Sequence, residues 1–412
     1  MAVFPFLFWF FKDRLWILLV LSIPALLLGE VLSIPITSEW VYEARLSEAL
    51  LFSAFTIFVL DCYINNRPDQ VKLDKIAFIL LFFLAISTIS FFYISDFRFF
   101  IVGSKVSFFS FAAYFLALNS FLSKDSIKWL LRSLVLFVFL ISVQVFLKFY
   151  EMGFSTKFFF ERSYIEIPLG PIALVSAFLA FLLPVVLCLY FSQEKEGRVG
   201  NYVNLLVFLA GSLAIFLGLG KAAIFSFGLG LFYIFVKMPK KRTIFILTAA
   251  GFLSLSLVFF TSFFTGLLER VARTFISENT QFRLTEYQVG WSIIKDNPLI
   301  GIGTGQQLLY YKEILDWDNP QLVNNYFLHA LIEWGIVGLG IVSAMIITIY
   351  RKTRSKLKEV FGHNNRVLTY GFVAGFLAVL VNGLAEVTVF ALPYAIVFFL
   401  VLGLFNNLEK YA

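Results

Sequence analysis

Long apolar runs separated by short polar stretches follow one another along most of the chain. Ten runs are found, at residues 15–36, 46–64, 76–95, 98–122, 129–150, 168–192, 204–236, 244–264, 331–350 and 367–405. Most are close to the roughly 20 residues that an α-helix needs to cross the hydrocarbon of a bilayer. The pattern therefore predicts an all-α fold, a polytopic bundle of transmembrane helices.

Two of these runs are too long for a single crossing. The run 204–236 has basic stretches on both sides, and Lys and Arg in short loops stay on the cytoplasmic side. Because both of its ends belong on that side, the run is expected to cross twice, with a turn at "GLGK", residues 218–221. The run 367–405 is expected to break at "NGLAE", residues 382–386. The result is about 12 spans with both termini cytoplasmic.

Composition and charge agree with a membrane protein. They argue against a disulfide-rich protein, a cysteine metal site and a nucleic-acid-binding protein. Hydrophobic residues make up 60% of the chain and charged residues 14%, with a mean hydropathy of +0.87. Cys62 and Cys188 lie inside apolar runs, which supports neither a disulfide framework nor a cysteine metal site. Of 33 Lys and Arg, 20 lie in predicted cytoplasmic segments and five in short outer loops. Topology therefore explains the net charge of +7 without nucleic acid.

The longest polar segment, residues 265–330, divides the predicted organisation into three parts. Spans one to nine occupy residues 1–264, a large outer loop follows, and spans ten to twelve occupy residues 331–412. Because the other connections are short, function is expected to concentrate in this loop.

Within the loop, "QFRLTEYQVGWSIIKDNP", residues 281–298, predicts an amphipathic helix that ends at the Asn-Pro pair. Its two faces follow helical spacing, with Thr285, Gln288, Ser292 and Lys295 on the polar side and Tyr287, Trp291 and Ile294 on the apolar side. Arg283 lies one turn before Tyr287, on the apolar side. A guanidinium there needs water or a partner. Three arrangements would satisfy the Arg283 guanidinium: it extends from the helix end to water, it pairs with a carboxylate such as Glu286, or it binds an anion.

Lys221, at the predicted turn of residues 218–221, has the same alternatives. As a recessed cation near Arg283 it would form part of an anion site. As an ordinary lysine at a hairpin tip it would extend to water.

The glycine-rich stretch "NPLIGIGTG", residues 297–305, has some features of a phosphate-binding loop. It follows a helix instead of a strand, however, and it lacks the downstream elements of such motifs. A turn is expected here.

Three motifs together resemble a known family. They are "RLTEYQVGWSIIKDNPLIGIG" at residues 283–303, "LIEWGIVG" at 331–338 and "LGKAAIF" at 219–225. With twelve spans and one large loop between the ninth and tenth, they resemble the O-antigen ligase and O-antigen polymerase membrane proteins. Those proteins act on polyprenyl diphosphate-linked glycans at the outer face of the bacterial inner membrane.

The resemblance implies glycosyl transfer from an undecaprenyl diphosphate-linked glycan to the hydroxyl of an acceptor sugar. In a ligase this acceptor is lipid A core. It implies an inner-membrane enzyme with a periplasmic active site, without nucleotide cofactor or obligatory metal. Arg283 falls on the family arginine implied to bind the diphosphate, and Tyr287 on the aromatic residue that follows it. Lys221 falls where a second arginine is usual, and lysine keeps the charge but loses the bidentate geometry.

The family histidine has no direct counterpart. Ligases show His-Asn, nine residues, then Gly, and counting back from Gly335 places Asn324 and Asn325 there. His329 comes five residues later, a rotation of about 140° on a helix. Asn324 cannot act as a base, and its expected local role is to cap a helix.

The acceptor hydroxyl needs a base, and histidine is the side chain most easily tuned for this near neutral pH. His329 is the sequence-based candidate, with Glu333 one helical turn away to orient its ring. The alternative is a histidine that only packs at the start of a span. Glu269, Glu278 and Glu286 of the loop are substitutes for the base.

Three functions stay open on the sequence alone. A ligase passes a finished glycan to lipid A core or another acceptor, and this is the main prediction. A polymerase joins lipid-linked repeat units instead. A transporter or flippase of a lipid-linked sugar would use cations within the membrane, such as Lys105, Arg132 and Lys148, whose other explanation is ion pairing or extension to the interface.

Overall fold

A computed structural model describes most of the chain. The described residues are 8–37, 40–65, 71–121, 123–153, 165–192, 198–218, 220–239, 278–315, 322–358 and 363–411. This part is almost entirely helical, with two short antiparallel β-hairpins. The predicted all-α class is therefore confirmed except for the hairpins.

The α-helices in this part of the chain include α1 (Leu15–Ala25), α2 (Leu46–Ile64), α3 (Lys75–Ile89), α4 (Phe97–Ser120), α5 (Lys124–Glu151), α6 (Ile172–Ser192), α7 (Arg198–Gly218), α8 (Lys221–Lys237), α9 (Glu278–Asp296), α10 (Gln307–Leu315), α11 (Tyr326–Lys358), α12 (His363–Asn382) and α13 (Leu392–Asn406). The strands are β1 (Glu30–Thr37), β2 (Trp40–Arg45), β3 (Glu166–Ile167) and β4 (Gly170–Pro171).

Among the described residues, eight helices are long and apolar enough to cross a membrane. They are α2, α3 with the short turn that follows it, α4, α5, α6, α7, α11 and α12. The first helix and α13 are apolar but shorter. The predicted run 244–264 lies outside the described residues, so the count of twelve spans stays a prediction. The chain has the helices of a multi-pass membrane protein.

The first predicted span, 15–36, is wrong as a single helix. Helix α1 ends at Ala25, a 3-10 turn follows, and Gly29 takes a φ of 69°, which turns the chain out of the helix. The remaining apolar residues form β1, which pairs antiparallel with β2. An apolar run alone does not separate a buried helix from a strand, and this run is rich in β-branched residues.

Both long runs are broken at the predicted places. Helix α7 ends at Gly218 and α8 begins at Lys221, while α12 ends at Asn382 and the chain turns before α13. At Gly218 a Cβ atom would lie 2.1 Å from Oγ of Ser176 in α6, so a larger residue would push these helices apart. The turn thus depends on glycine at this position.

The chain divides into two compact units. The first comprises residues 1–134, 287–360 and 387–412, and the second comprises 135–286 and 361–386. In the first unit, α13 packs on α4, and α11 packs on α3. In the second unit, α6 and α8 pack on α12, and α7 packs on α6.

A polar network joins four helices of the first unit. Asp74 caps α3 by accepting a hydrogen bond from the Ala77 N–H at 2.9 Å, and its other oxygen accepts from the Tyr114 hydroxyl at 2.6 Å and from Lys352. Lys352 also donates to the Asn406 side chain at 3.0 Å. Burial by itself raises the pKa of Asp74, but the hydrogen bonds from Lys352 and Tyr114 outweigh it, and the pKa is lowered. The stabilisation is therefore present at neutral pH and is lost in acid as the pH falls through that lowered pKa.

Candidate functional site

Helix α9 is the predicted amphipathic helix and ends before Asn297, as expected. Its polar positions Thr285, Gln288, Ser292 and Lys295 are exposed, whereas Glu286, Gly290, Ile293 and Ile294 are buried. Trp291, which the sequence places on the apolar side of the helix, is 54% exposed. Gly290 takes the centre of the buried face instead, because a Cβ atom there would lie 2.9 Å from the Ile332 side chain.

Arg283 lies in the second unit and pairs with Glu386. One guanidinium nitrogen is 3.4 Å from a carboxylate oxygen of Glu386, with the two side chains 42% and 33% exposed. The expected alternative partner, Glu286, is fully buried. Glu386 belongs to the "NGLAE" break after α12, and 103 residues separate it from Arg283. A cation and a carboxylate, both open to solvent, therefore lie side by side.

Lys221 belongs to the same unit and is the exposed first residue of α8. The first N–H groups of a helix have no intrahelical acceptor and give its N-terminus a partial positive charge. The lysine adds a full positive charge to that partial one, which makes this end of α8 favourable for an anion.

His329 lies in the first unit, on the first turns of α11, and is 2% exposed. Its Nδ1 atom is 2.6 Å from Oε1 of Gln307, and its ring packs against Phe390 with centroids 4.5 Å apart. Oε2 of Glu333 is 3.9 Å from Nε2, beyond hydrogen-bond distance. Gln307, and not Glu333 as expected from the sequence, therefore orients the ring.

The start of α11 corrects the expectation for Asn324. The side chain of Asn325 accepts hydrogen bonds from the Phe327 and Leu328 N–H groups, both at 3.0 Å, so Asn325 is the N-cap. Helix α11 begins at Tyr326, and a cap must directly precede the first helical residue. The Asn324 carbonyl instead accepts from the hydroxyl of Tyr287 at 3.1 Å, which ties α9 to the beginning of α11.

The stretch 297–305 is a turn, as predicted, and its polar groups are used within the first unit. Oγ1 of Thr304 lies 3.0 Å from the hydroxyl of Ser87 and 3.0 Å from that of Ser90, and it accepts from Nε1 of Trp334 at 2.9 Å. The Thr304 N–H donates to Ser90 at 3.1 Å. These groups are therefore already bonded and do not form a cradle for a phosphate.

Residues 205–343 match the family model described as O-antigen ligase. The match begins inside α7 and ends inside α11, and it contains Lys221, Arg283 and His329. This segment of the chain is therefore similar to the O-antigen ligase family. The resemblance read from the three motifs is thereby confirmed, although the matched segment is about a third of the chain. No curated protein matches significantly.

The match to the O-antigen ligase family model supports a ligase or polymerase type of function in polysaccharide biosynthesis. The residues singled out from the sequence fall into two groups, with Arg283 and Lys221 in the second unit and His329 with Glu333 in the first.

The sequence analysis did not identify Glu386 and Gln307 as site residues. The break that contains Glu386 was expected, but no local pattern linked either residue to its distant partner.

Proposed function

We propose that the protein transfers a glycan from a polyprenyl diphosphate carrier to a sugar hydroxyl of lipid A core, at the outer face of the bacterial inner membrane. The observation that supports this is the exposed Arg283–Glu386 pair, whose arginine lies in the segment that matches the O-antigen ligase family. The chain would place both termini in the cytoplasm and this pair on the periplasmic side. The donor, the acceptor and membrane lipids are its partners.

The arginine suits an anionic leaving group. Its guanidinium is held by Glu386 at 3.4 Å yet is 42% exposed, so a diphosphate can take over the hydrogen bonds of that carboxylate. During transfer, the acceptor oxygen bonds to the anomeric carbon, the bond from that carbon to the diphosphate oxygen breaks, and the diphosphate leaves with the electron pair. Arg283 then stabilises the charge on the leaving group, with Lys221 as a second cation and no metal required.

The proton of the acceptor hydroxyl needs a base, for which two groups are candidates. His329 follows from the sequence, but it is 2% exposed and bonded to Gln307. Glu386 is 33% exposed and lies beside the arginine. A base must come within hydrogen-bond reach of its proton, so the geometry favours Glu386.

Glu386→Gln is expected to lower kcat by about 100-fold, because the amide can still accept from Arg283 but cannot take a proton. The KM for the lipid-linked donor should change by less than about twofold. His329→Gln is expected to keep kcat within about threefold and to lose mainly thermal stability. Initial rates in proteoliposomes measure both variants, and the reverse pattern would assign the base to His329.

Tyr287, Asn324 and Asn325 are proposed as positioning residues. Their hydrogen bonds fix the entrance of α11 and its distance from α9. They would act on the reaction through the placement of these two helices, since none is a carrier of charge.

Reconstitution of the purified protein with a polyprenyl diphosphate-linked glycan tests the function as a whole. We expect free polyprenyl diphosphate to appear only when lipid A core is added, with the glycan found on the core. Release that instead requires further lipid-linked glycan would identify a polymerase. Donor that crosses the membrane chemically unchanged would identify a transporter.

Among the residues that the structure describes, the contacts do not favour the transporter. The three cations that suggested it have local partners: Lys105 lies 3.2 Å from Glu48, Lys148 lies 2.7 Å from Glu151, and the Arg132 guanidinium is 5.2 Å from the centre of the Trp129 ring. Ion pairing and cation–π contact account for these charges without a pathway.

A further inference from the structure

Helix α11 is interrupted at Gly335, which has a φ of 61° and a ψ of −153°. In a continuous helix the N–H of Ile336 would donate to the carbonyl of Ile332, and the N–H of Val337 to the carbonyl of Glu333. Because the helix is interrupted, these two N–H groups and two carbonyl groups do not bond to each other. Buried backbone groups must be satisfied somewhere, so something has to take their place.

The loop between α9 and α10 supplies all four partners. The bonds run from Ile302 N–H to the Ile332 carbonyl at 3.0 Å, from Gly303 N–H to the Glu333 carbonyl at 2.9 Å, from Ile336 N–H to the Pro298 carbonyl at 3.0 Å, and from Val337 N–H to the Leu299 carbonyl at 3.5 Å. Two hydrogen bonds within the helix are thus exchanged for four to the loop. The loop is built into the hydrogen-bonding pattern of α11.

The side chain of Glu333 extends this attachment by one turn. Its Oε2 atom accepts from the Gly305 N–H at 2.9 Å, and the residue is 2% exposed. Gly305 lies two residues before the start of α10 at Gln307. Glu333 therefore holds the residues that lead into α10 from a different helix.

The space around this contact leaves little freedom. A Cβ atom at Gly305 would lie 2.0 Å from the Phe99 carbonyl oxygen of α4. The segment 303–307 is therefore held between α4 on one side and Glu333 on the other. Loss of the Glu333 acceptor would leave the Gly305 N–H without a partner in a site too tight for the backbone to turn elsewhere.

We propose that Glu333 is a positioning residue that holds segment 303–307 on the interrupted turn of α11, and that it takes no part in proton transfer. Through the loop it fixes the end of α9, the continuous helix that also carries Arg283. Its effect on donor binding rests on the proposed function, whereas its hold on the loop does not.

Hydrogen–deuterium exchange of the full protein in nanodiscs tests the hold on the loop. In Glu333→Ala, backbone exchange in segment 298–307 is expected to be at least about tenfold faster than in the wild type. Glu333→Gln should stay within about twofold, because its amide oxygen still accepts the Gly305 N–H. Glu313→Ala, which removes an exposed carboxylate of α10, is the matched control. Unchanged exchange in Glu333→Ala would overturn the proposal.

Transfer rates separate positioning from acid–base catalysis and remain informative if Glu333→Ala does not fold. For Glu333→Gln we expect wild-type kcat within about threefold and an unshifted pH profile. A folded Glu333→Ala should raise the KM for the donor at least about fivefold and leave the KM for the acceptor unchanged. A Glu333→Gln variant with wild-type exchange but about 100-fold lower kcat would make Glu333 an acid or base and overturn the proposal. If no variant or wild type transfers glycan while the exchange results hold, the proposed function fails and the loop attachment stands.

Discussion

Arg283→Ala is expected to lower glycosyl transfer by about 100-fold or more while the protein remains folded. Removal of one positioned donor to a developing anion costs about 10² to 10³ in rate in other enzymes, and a charged donor is at the strong end of that range. The fold should survive, because the Arg283–Glu386 pair is 42% and 33% exposed and exposed ion pairs contribute less than about 1 kcal/mol. The measurement is the rate of polyprenyl diphosphate release in proteoliposomes.

Two variants sharpen this test. Arg283→Lys keeps the charge but not the bidentate geometry, so an intermediate rate is expected. Lys295→Ala removes an exposed cation from the same helix and should leave the rate unchanged. A folded Arg283→Ala protein with a rate close to wild type would remove the arginine from the mechanism.

Gly335→Ala is expected to destabilise the protein by about 3 kcal/mol or more. A φ of 61° with a ψ of −153° is a conformation that essentially only glycine adopts, at a cost of about 1–3 kcal/mol for other residues. In addition, a Cβ atom there would lie 2.4 Å from the Leu299 carbonyl group, which is part of the loop attachment. Thermal unfolding of the detergent-purified protein measures the loss.

Gly340→Ala provides the control in the same helix. A Cβ atom at Gly340 meets nothing within 4 Å, and alanine favours a helix over glycine by roughly 1 kcal/mol. Its unfolding temperature should therefore equal or exceed that of the wild type. Equal unfolding temperatures for the two alanine variants would show that the interruption at Gly335 is not required for the fold.

The local sequence predicted the elements that depend on local composition. The turn between α7 and α8, the break after Asn382 and the end of α9 at Asp296 all came from apolar runs, basic flanks and an Asn-Pro pair. Such signals act within a few residues, so they can be read without knowing the fold. The motifs were specific enough to indicate the O-antigen ligase family, which the match over residues 205–343 confirms.

The type of the first element and the residue that caps α11 could not be predicted correctly from the sequence. The first span failed because an apolar run is compatible with both a helix and a strand, and Gly29 with the pairing of β1 decided between them. The cap at Asn325 differs from the expected Asn324 by a single residue, which is within the uncertainty of any helix boundary read from sequence.

The sequence by itself determined that this chain has the helices of a multi-pass membrane protein, where its long runs are broken and which family it resembles, because those properties follow from hydrophobicity, charge and short motifs. Only the tertiary structure paired Arg283 with Glu386 across 103 residues and His329 with Gln307 across 22. It also decided that α11 is interrupted at Gly335. Each of these depends on a partner from a distant part of the chain, and an interrupted helix is stable only where a neighbouring loop supplies the hydrogen bonds that the helix has given up.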